Sequence, residues 1–389
     1  MSTILPPAGR DLRLDLFRGM ANWAIFLDHI PNNIVNWLTT RNYGFSDAAD
    51  LFVFISGYTA AFVSARIMLE RGFIAGATRL LKRAWQIYVA HVFLLAIYLA
   101  EIGYLGQKYG NPEFADEFNI SGFLRAPAAT IYEGLLLRFK PVNMDVLPLY
   151  VVLMLMFPPI LWVMLRRPNL TLLGSVLLYF AARVFGWNLP DYPSGVWYFN
   201  PFTWQLLFMF GAWSALGGAF EWRSLIRSRA VAVVGIVYLG FALVVTIAGR
   251  FPEFGQLLPA WLCESFNEDK TNLPSYRFIH FVVLALLVMR FLPRDWAGLT
   301  WRVLRPAIVC GQFSLWVFGF GLFLAFGAHF VLIEISGALW MQVLVSVTGI
   351  ALMTALASYR SWSKHGDRAG SEWKAPSHPE RRLAQASRS

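Results

Sequence analysis

Ten stretches of about 20 mostly apolar residues recur along the chain, near 15–38, 48–67, 84–105, 146–165, 170–188, 203–220, 230–249, 276–293, 307–331 and 337–357. An α-helix needs about that length to cross a hydrocarbon core roughly 30 Å thick. The pattern predicts an all-α polytopic membrane protein with about ten transmembrane helices. Neither an internal repeat nor a low-complexity segment divides it, so one membrane domain over residues 1–358 is expected. Beyond it, the basic stretch 359–389, with scattered Ser, Pro and Gly, has too little apolar surface to form a core and is expected to be a disordered tail. On the other side of the membrane from the termini, Leu124 to Leu137 has the spacing of an amphipathic helix lying on the bilayer surface.

Composition agrees: 57% of the 389 residues are hydrophobic and 14% charged, against about 25% charged in soluble domains. A net charge of +10 would suit a nucleic-acid partner, but the cations sit in short clusters between apolar spans, and no nucleic acid is expected. Their distribution orients the chain instead. Of 33 Lys and Arg, 23 fall in segments on the side of the N-terminus and eight on the opposite side, with Arg18 and Arg183 inside spans. By the positive-inside rule both termini are cytoplasmic. Arg10, Asp11 and Arg13 precede a span without an A-x-A-like cleavage site, so no removable signal peptide is expected. The two cysteines, Cys263 and Cys310, form no disulfide framework or metal pattern.

The first two spans hold groups that a bilayer penalises, and such groups are usually kept for function. If residues 15–38 are helical, His29 lies roughly 16–17 Å beyond Arg18 and about 20° away around the axis, with Asn22 on the same face. A polar stripe thus runs from one membrane surface and stops at an imidazole, the layout of a buried proton-transfer site with a basic mouth. Asp28 points about 100° away from His29, so an orienting carboxylate is sought in other spans: Asp50, or the more remote Glu334. Ser56 invites a Ser–His reading, although Ser-Gly within a span more often serves close helix packing.

Several strings carry a resemblance. Arg18-x10-His29, Phe54-Ile-Ser-Gly57 and Arg79-Leu-Leu-Lys-Arg83 resemble membrane acyltransferases of the acyltransferase-3 type. More closely, Arg13-Leu-Asp-Leu-Phe-Arg-Gly19, Asp28-His-Ile-Pro-Asn32, Arg41-Asn-Tyr-Gly-Phe-Ser-Asp47 and Asp269-Lys-Thr-Asn-Leu273 resemble the OpgC family, over nearly the whole chain to about residue 358. Gly311-Gln-Phe-Ser-Leu315 is similar to a Gly-x-x-Ser-Leu signature of the wider superfamily. The histidine that often follows that signature closely is here only His329.

The resemblance implies succinylation of osmoregulated periplasmic glucans from the inner membrane of Gram-negative bacteria. The expected donor is acyl-CoA, most simply succinyl-CoA, with no metal. Attack of a sugar hydroxyl on a thioester needs a positioned base, and imidazole suits that task; His29 is the expected base. Arg18, Arg79, Lys82 and Arg83 are expected at the donor phosphates. Arg18, Ser56 and Asp50 are further catalytic candidates. Asp28, Asn32 and Asp47 are expected on the acceptor side, where Lys270 and Arg277 would attract the distal carboxylate of a succinyl group. A transporter or flippase for a glycan or organic acid is the competing class, and oligomeric state is left open by the sequence.

Overall fold

A computed structural model describes residues 10–109, 113–218, 222–266 and 269–373. These residues are predominantly helical, with an isolated antiparallel bridge between Pro190 and Val196. The main helices are α1 (Leu12–Asp28), α2 (Ala48–Arg71), α3 (Phe73–Tyr109), α4 (Val146–Met164), α5 (Pro168–Phe185), α6 (Pro201–Trp213), α7 (Arg229–Arg250), α8 (Ser275–Phe291), α9 (Arg305–Gln312), α10 (Ser314–Glu334) and α11 (Leu339–Trp373). Seven of them, α2, α3, α4, α5, α7, α10 and α11 over Leu339–Lys364, are long and apolar enough to cross a membrane. The stretches at 15–38, 203–220 and 276–293 contain the shorter α1, α6 and α8, of 17, 13 and 17 residues. The protein is therefore an all-helical, multi-pass membrane protein.

Two expected spans are interrupted. The first does not run to residue 38: α1 stops at Asp28 and His29 is its C-cap. Pro31 explains the stop, because a proline disfavours helical backbone in the residue before it. After it Asn32 takes a left-handed turn (φ 55°), and the Asn33 side chain accepts from Val35 N to start a short 3-10 helix, Ile34–Leu38. The span at 307–331 is divided between α9 and α10 at Phe313, whose backbone leaves the helical region (φ −113°, ψ 31°). The surface helix expected over 124–137 is likewise two helices, Ser121–Arg125 and Pro127–Leu135, parted at Ala126 in front of Pro127.

Two close helix crossings hold the centre together. At the first, a Cβ on Gly57 of α2 would run into the Phe208 carbonyl of α6. At the second, a Cβ on Gly311 of α9 would strike the Asp15 carbonyl of α1. Small residues of this kind let helix backbones approach in a membrane, where packing rather than hydrophobicity drives association. α2 continues unbroken through Ser56 and Gly57, so Ser-Gly serves packing here and frees no backbone N–H groups. α6, apolar but for Thr203 and Gln205, is buried along nearly its whole length. At 37 residues α3 is about 55 Å long, so it overshoots the hydrocarbon core, and its first turns carry Arg79, Lys82 and Arg83. α11 extends to Trp373; residues 374–389 of the expected tail lie outside the described residues.

Candidate active site

Arg18, Arg79, Lys82 and Arg83 come from two helices far apart in sequence and line one cavity of about 470 Å³ between α1, α2, α3, α4 and α10. The four cations expected at an anionic donor are thus brought together. Arg18 is held in place: its Nη2 donates to Thr59 Oγ1 at 2.9 Å, and that hydroxyl donates to the Ile55 carbonyl at 2.7 Å. Arg83 Nη1 donates to Gln86 Oε1 at 3.3 Å. Arg79 and Lys82 make neither a hydrogen bond nor an ion pair among the described residues, so their charge is available to an incoming anion.

Inward from this mouth the lining turns weakly polar and then apolar. Ser56, Tyr150 and Ser314 follow, and Ile25, Phe52, Val146 and Phe318 form the deep end, where the Phe52 and Phe318 rings meet at 6.3 Å. Ser56 lines the cavity with Tyr150, whereas His29 does not and its Nδ1 has no hydrogen-bond partner, so no Ser56–His29 pairing is seen among the described residues. Tyr150 and Ser314 were not singled out by sequence reasoning. A lone hydroxyl in the very apolar α4 was a usable signal for Tyr150. Ser314 is the serine of the Gly-x-x-Ser-Leu string and accepts from Asn22 Nδ2 at 3.3 Å.

His29 is not a wall of this cavity. It sits four residues past Ile25, about 6 Å further along at 1.5 Å per residue, at the end of α1. Its Nδ1 is buried without a partner, and the charged groups around it are Lys270, Arg41 and Asp47. Next to it, the Asp28 carboxylate accepts from Thr39 Oγ1 at 2.7 Å. Asn32 is exposed, whereas its neighbour Asn33 is buried and donates to Ser346 Oγ at 2.9 Å.

Asp50 is committed elsewhere, which corrects the expectation that it orients His29. Its carboxylate, fully buried, accepts from Arg277 Nε at 3.0 Å and Nη2 at 2.6 Å, and from the Asp47 N–H at 2.8 Å. Asp47 caps α2 by accepting from Ala49 N at 2.8 Å, and pairs with Arg277 at 2.7 Å and Lys270 at 3.2 Å. Lys270 and Arg277 are therefore already engaged by two carboxylates, a correction to their expected role with a succinyl group. Burial works against ionised Asp47, yet Arg277 and Lys270 beside it hold its carboxyl far below the ordinary range. For Lys270 burial again opposes the charge, and Asp47 outweighs it and raises the ammonium's pKa. This is a buried clamp joining α2 to α8 and to the segment before it.

Glu334 stands at the last turn of α10. His329 donates to or accepts from Glu117 at 2.9 Å, packed by Phe114 and Phe118, and lines no part of the cavity. Among the described residues no three His, Cys, Asp or Glu side chains gather as a metal site.

The four cations thus line one cavity of a helical, multi-pass membrane protein, whose α1 wall runs from Arg18 to Ile25, four residues before His29. The chain matches the family described as OpgC protein over residues 10–365 and belongs to it. No curated protein and no solved structure matches the chain. Membership points to a membrane transferase of glucan modification.

Proposed function

We propose that this protein is an integral inner-membrane O-acyltransferase that moves an acyl group, succinyl in the first instance, from cytoplasmic acyl-CoA to a hydroxyl of a periplasmic glucan. One observation carries the reading: Arg18, Arg79, Lys82 and Arg83 share a cavity whose α1 wall runs from Arg18 to Ile25, one helical turn before His29. Phosphates of the donor are strong acceptors for such cations, and the pantetheine arm follows the cavity past Ser56 and Tyr150. The thioester then lies at the Phe52–Phe318 ring pair, which must part for the acyl carbon to meet His29.

In the chemical step the sugar oxygen attacks the thioester carbonyl while the His29 imidazole takes its proton. The C–S bond breaks as the ester forms, and the proton passes from His29 to the departing thiolate, so the imidazole ends neutral. No cysteine lines the cavity, and direct transfer within a ternary complex fits better than a covalent acyl-enzyme.

The test uses purified protein in liposomes with labelled succinyl-CoA and isolated glucan. Wild type transfers label; His29→Ala loses roughly 10²–10⁴-fold in rate and still binds donor. Full activity in His29→Ala removes the base from the mechanism. Movement of glucan across the membrane without acylation would support the transporter instead.

A further inference from the structure

A second cavity, about 1430 Å³, opens between α1, α2 and α8 and exceeds the ~300–1,000 Å³ of ordinary small-molecule clefts. It runs the height of α1: from Leu14 to Leu27 is roughly 20 Å at 1.5 Å per residue, most of a hydrocarbon core. Its walls are apolar, with Phe17, Met20, Ala24, Phe54, Leu284 and Val288 facing one another. Its charged groups stand at its two ends. Thr39, Thr40, Ser46 and Asp47 close one, and the other is rimmed by Arg13, Arg227, Arg290 and Arg294 around a single acid, Asp11.

That arginine rim is built and over-charged. Arg13 and Arg294 pair with Asp11 at 2.8 and 3.2 Å, and Arg13 Nη1 also donates to the Leu292 carbonyl at 2.7 Å. Arg290 Nη1 donates to the Ile226 and Ser228 carbonyls at 2.7 and 3.1 Å, which ties α8 to the turn before α7. Arg227 is exposed and makes no hydrogen bond or ion pair among the described residues. Four cations against one carboxylate leave an anion-seeking mouth on an apolar slot of membrane height. Basic pockets between transmembrane helices recognise anionic lipid head groups in this way.

We infer that this groove is a binding site for one anionic glycerophospholipid, its phosphate on Arg227 and Arg294 and its acyl chains lying between α1, α2 and α8. The lipid is a structural ligand. Across the groove α8 meets α2 through the Phe54–Phe281 ring contact, 5.1 Å, and the Arg277–Asp50 clamp, so chains filling the slot stabilise that joint. The site is separate from the cavity that holds Arg18 and does not depend on the acyl-transfer reading.

Native mass spectrometry of the full chain, delipidated in detergent and titrated with phosphatidylglycerol or phosphatidylcholine of matched chains, tests it. Phosphatidylglycerol should be retained at least ten-fold more tightly and should raise the melting temperature. Arg227→Gln and Arg294→Gln should each weaken it roughly five-fold and leave phosphatidylcholine unchanged. Arg227→Gln disturbs no internal bond, so it keeps the test valid if Arg294→Gln misfolds. Ala24→Trp or Ala285→Trp, filling the slot from either side, should abolish retention. Glycerol phosphate should not compete; if it displaces the lipid at equal concentration, the site is a phosphate site and the inference fails. Equal retention of both lipids, indifference to the arginine variants, or a dimer whose interface seals the groove overturns it as well.

Discussion

Arg277→Gln tests whether the Asp47–Asp50–Arg277–Lys270 cluster is an internal clamp or a receptor for substrate carboxylate. Arg277 makes three charge-assisted contacts, two to Asp50 and one to Asp47, and Asp50 is 0% exposed. Removing one partner of a buried ion pair costs about 3–5 kcal/mol, mostly because the other charge is stranded. Glutamine keeps one neutral NH2 group in place of the charged guanidinium fork, so a loss of about 3 kcal/mol in unfolding free energy is expected, read by reversible unfolding in mixed micelles. Replacing both partners with apolar groups of similar size can be nearly neutral, so Arg277→Met with Asp50→Leu should recover most of that loss. The coupling between the two sites should exceed about 2 kcal/mol, far above the few tenths found for independent sites. An Arg277→Gln protein as stable as wild type that only raises the KM for acceptor or for a succinyl donor would refute the clamp and restore the substrate role.

Arg79→Gln and Arg83→Gln should each weaken acyl-CoA binding several-fold, measured by calorimetry. The loss should shrink at high salt, because the Debye length falls from about 10 Å at 0.1 M to about 3 Å at 1 M. Arg18→Lys should also bind donor less well, since lysine keeps the charge and loses the planar fork that reaches Thr59. Burial raises the Asp145 carboxyl, just ahead of α4, to about 6, with Lys140 nearby working in the opposite direction. A carboxyl whose folded value lies above its unfolded one costs nothing below about 4, and its penalty grows up to about 6. Asp145→Asn should therefore be more stable than wild type at pH 8 and equal to it at pH 4, in the same unfolding assay. Tags at either terminus should be protected from protease added outside intact spheroplasts, and an accessible terminus would show an odd error in the number of crossings.

The apolar spans were legible because a bilayer imposes one simple length rule, and the interruptions were legible in principle. Pro31 stands in plain view, and ending α1 before it follows from the steric restriction on the preceding residue. The error did not disturb the stripe, since Arg18 and His29 both precede the break and keep their helical register. Convergence of Arg18 with Arg79, Lys82 and Arg83 was readable because α1, α2 and α3 follow one another in the chain, and successive elements are usually neighbours in space. Asp50 and Arg277 are 227 residues apart, and no local pattern marks two such charges as partners. The sequence offered Asp50 to the nearest histidine by default, whereas the fold gives it to an arginine with a geometry that imidazole cannot match.

That reassignment alters how the site has to work. With Asp50 engaged, His29 has no carboxylate bonded to Nδ1, which is buried and unpaired, while Lys270 and Arg41 surround it with positive charge. Under the proposed mechanism, an imidazole so placed would gain from passing its proton on quickly, with the departing thiolate on the cavity side as the receiver. On the same proposal Asp47, whose charge reaches His29 and which is itself held by Arg277 and Lys270, would steady the imidazolium in between. The clamp joins α2 to α8, and on that proposal it also fixes the carboxylate that would face a charged His29. An Asp47→Asn protein separates them. The Lys270 and Arg277 hydrogen bonds can persist to the amide oxygen, so folding should survive, while the acylation rate falls and donor binding stays as it was. Loss of folding with no selective loss of rate would leave Asp47 with the structural role alone.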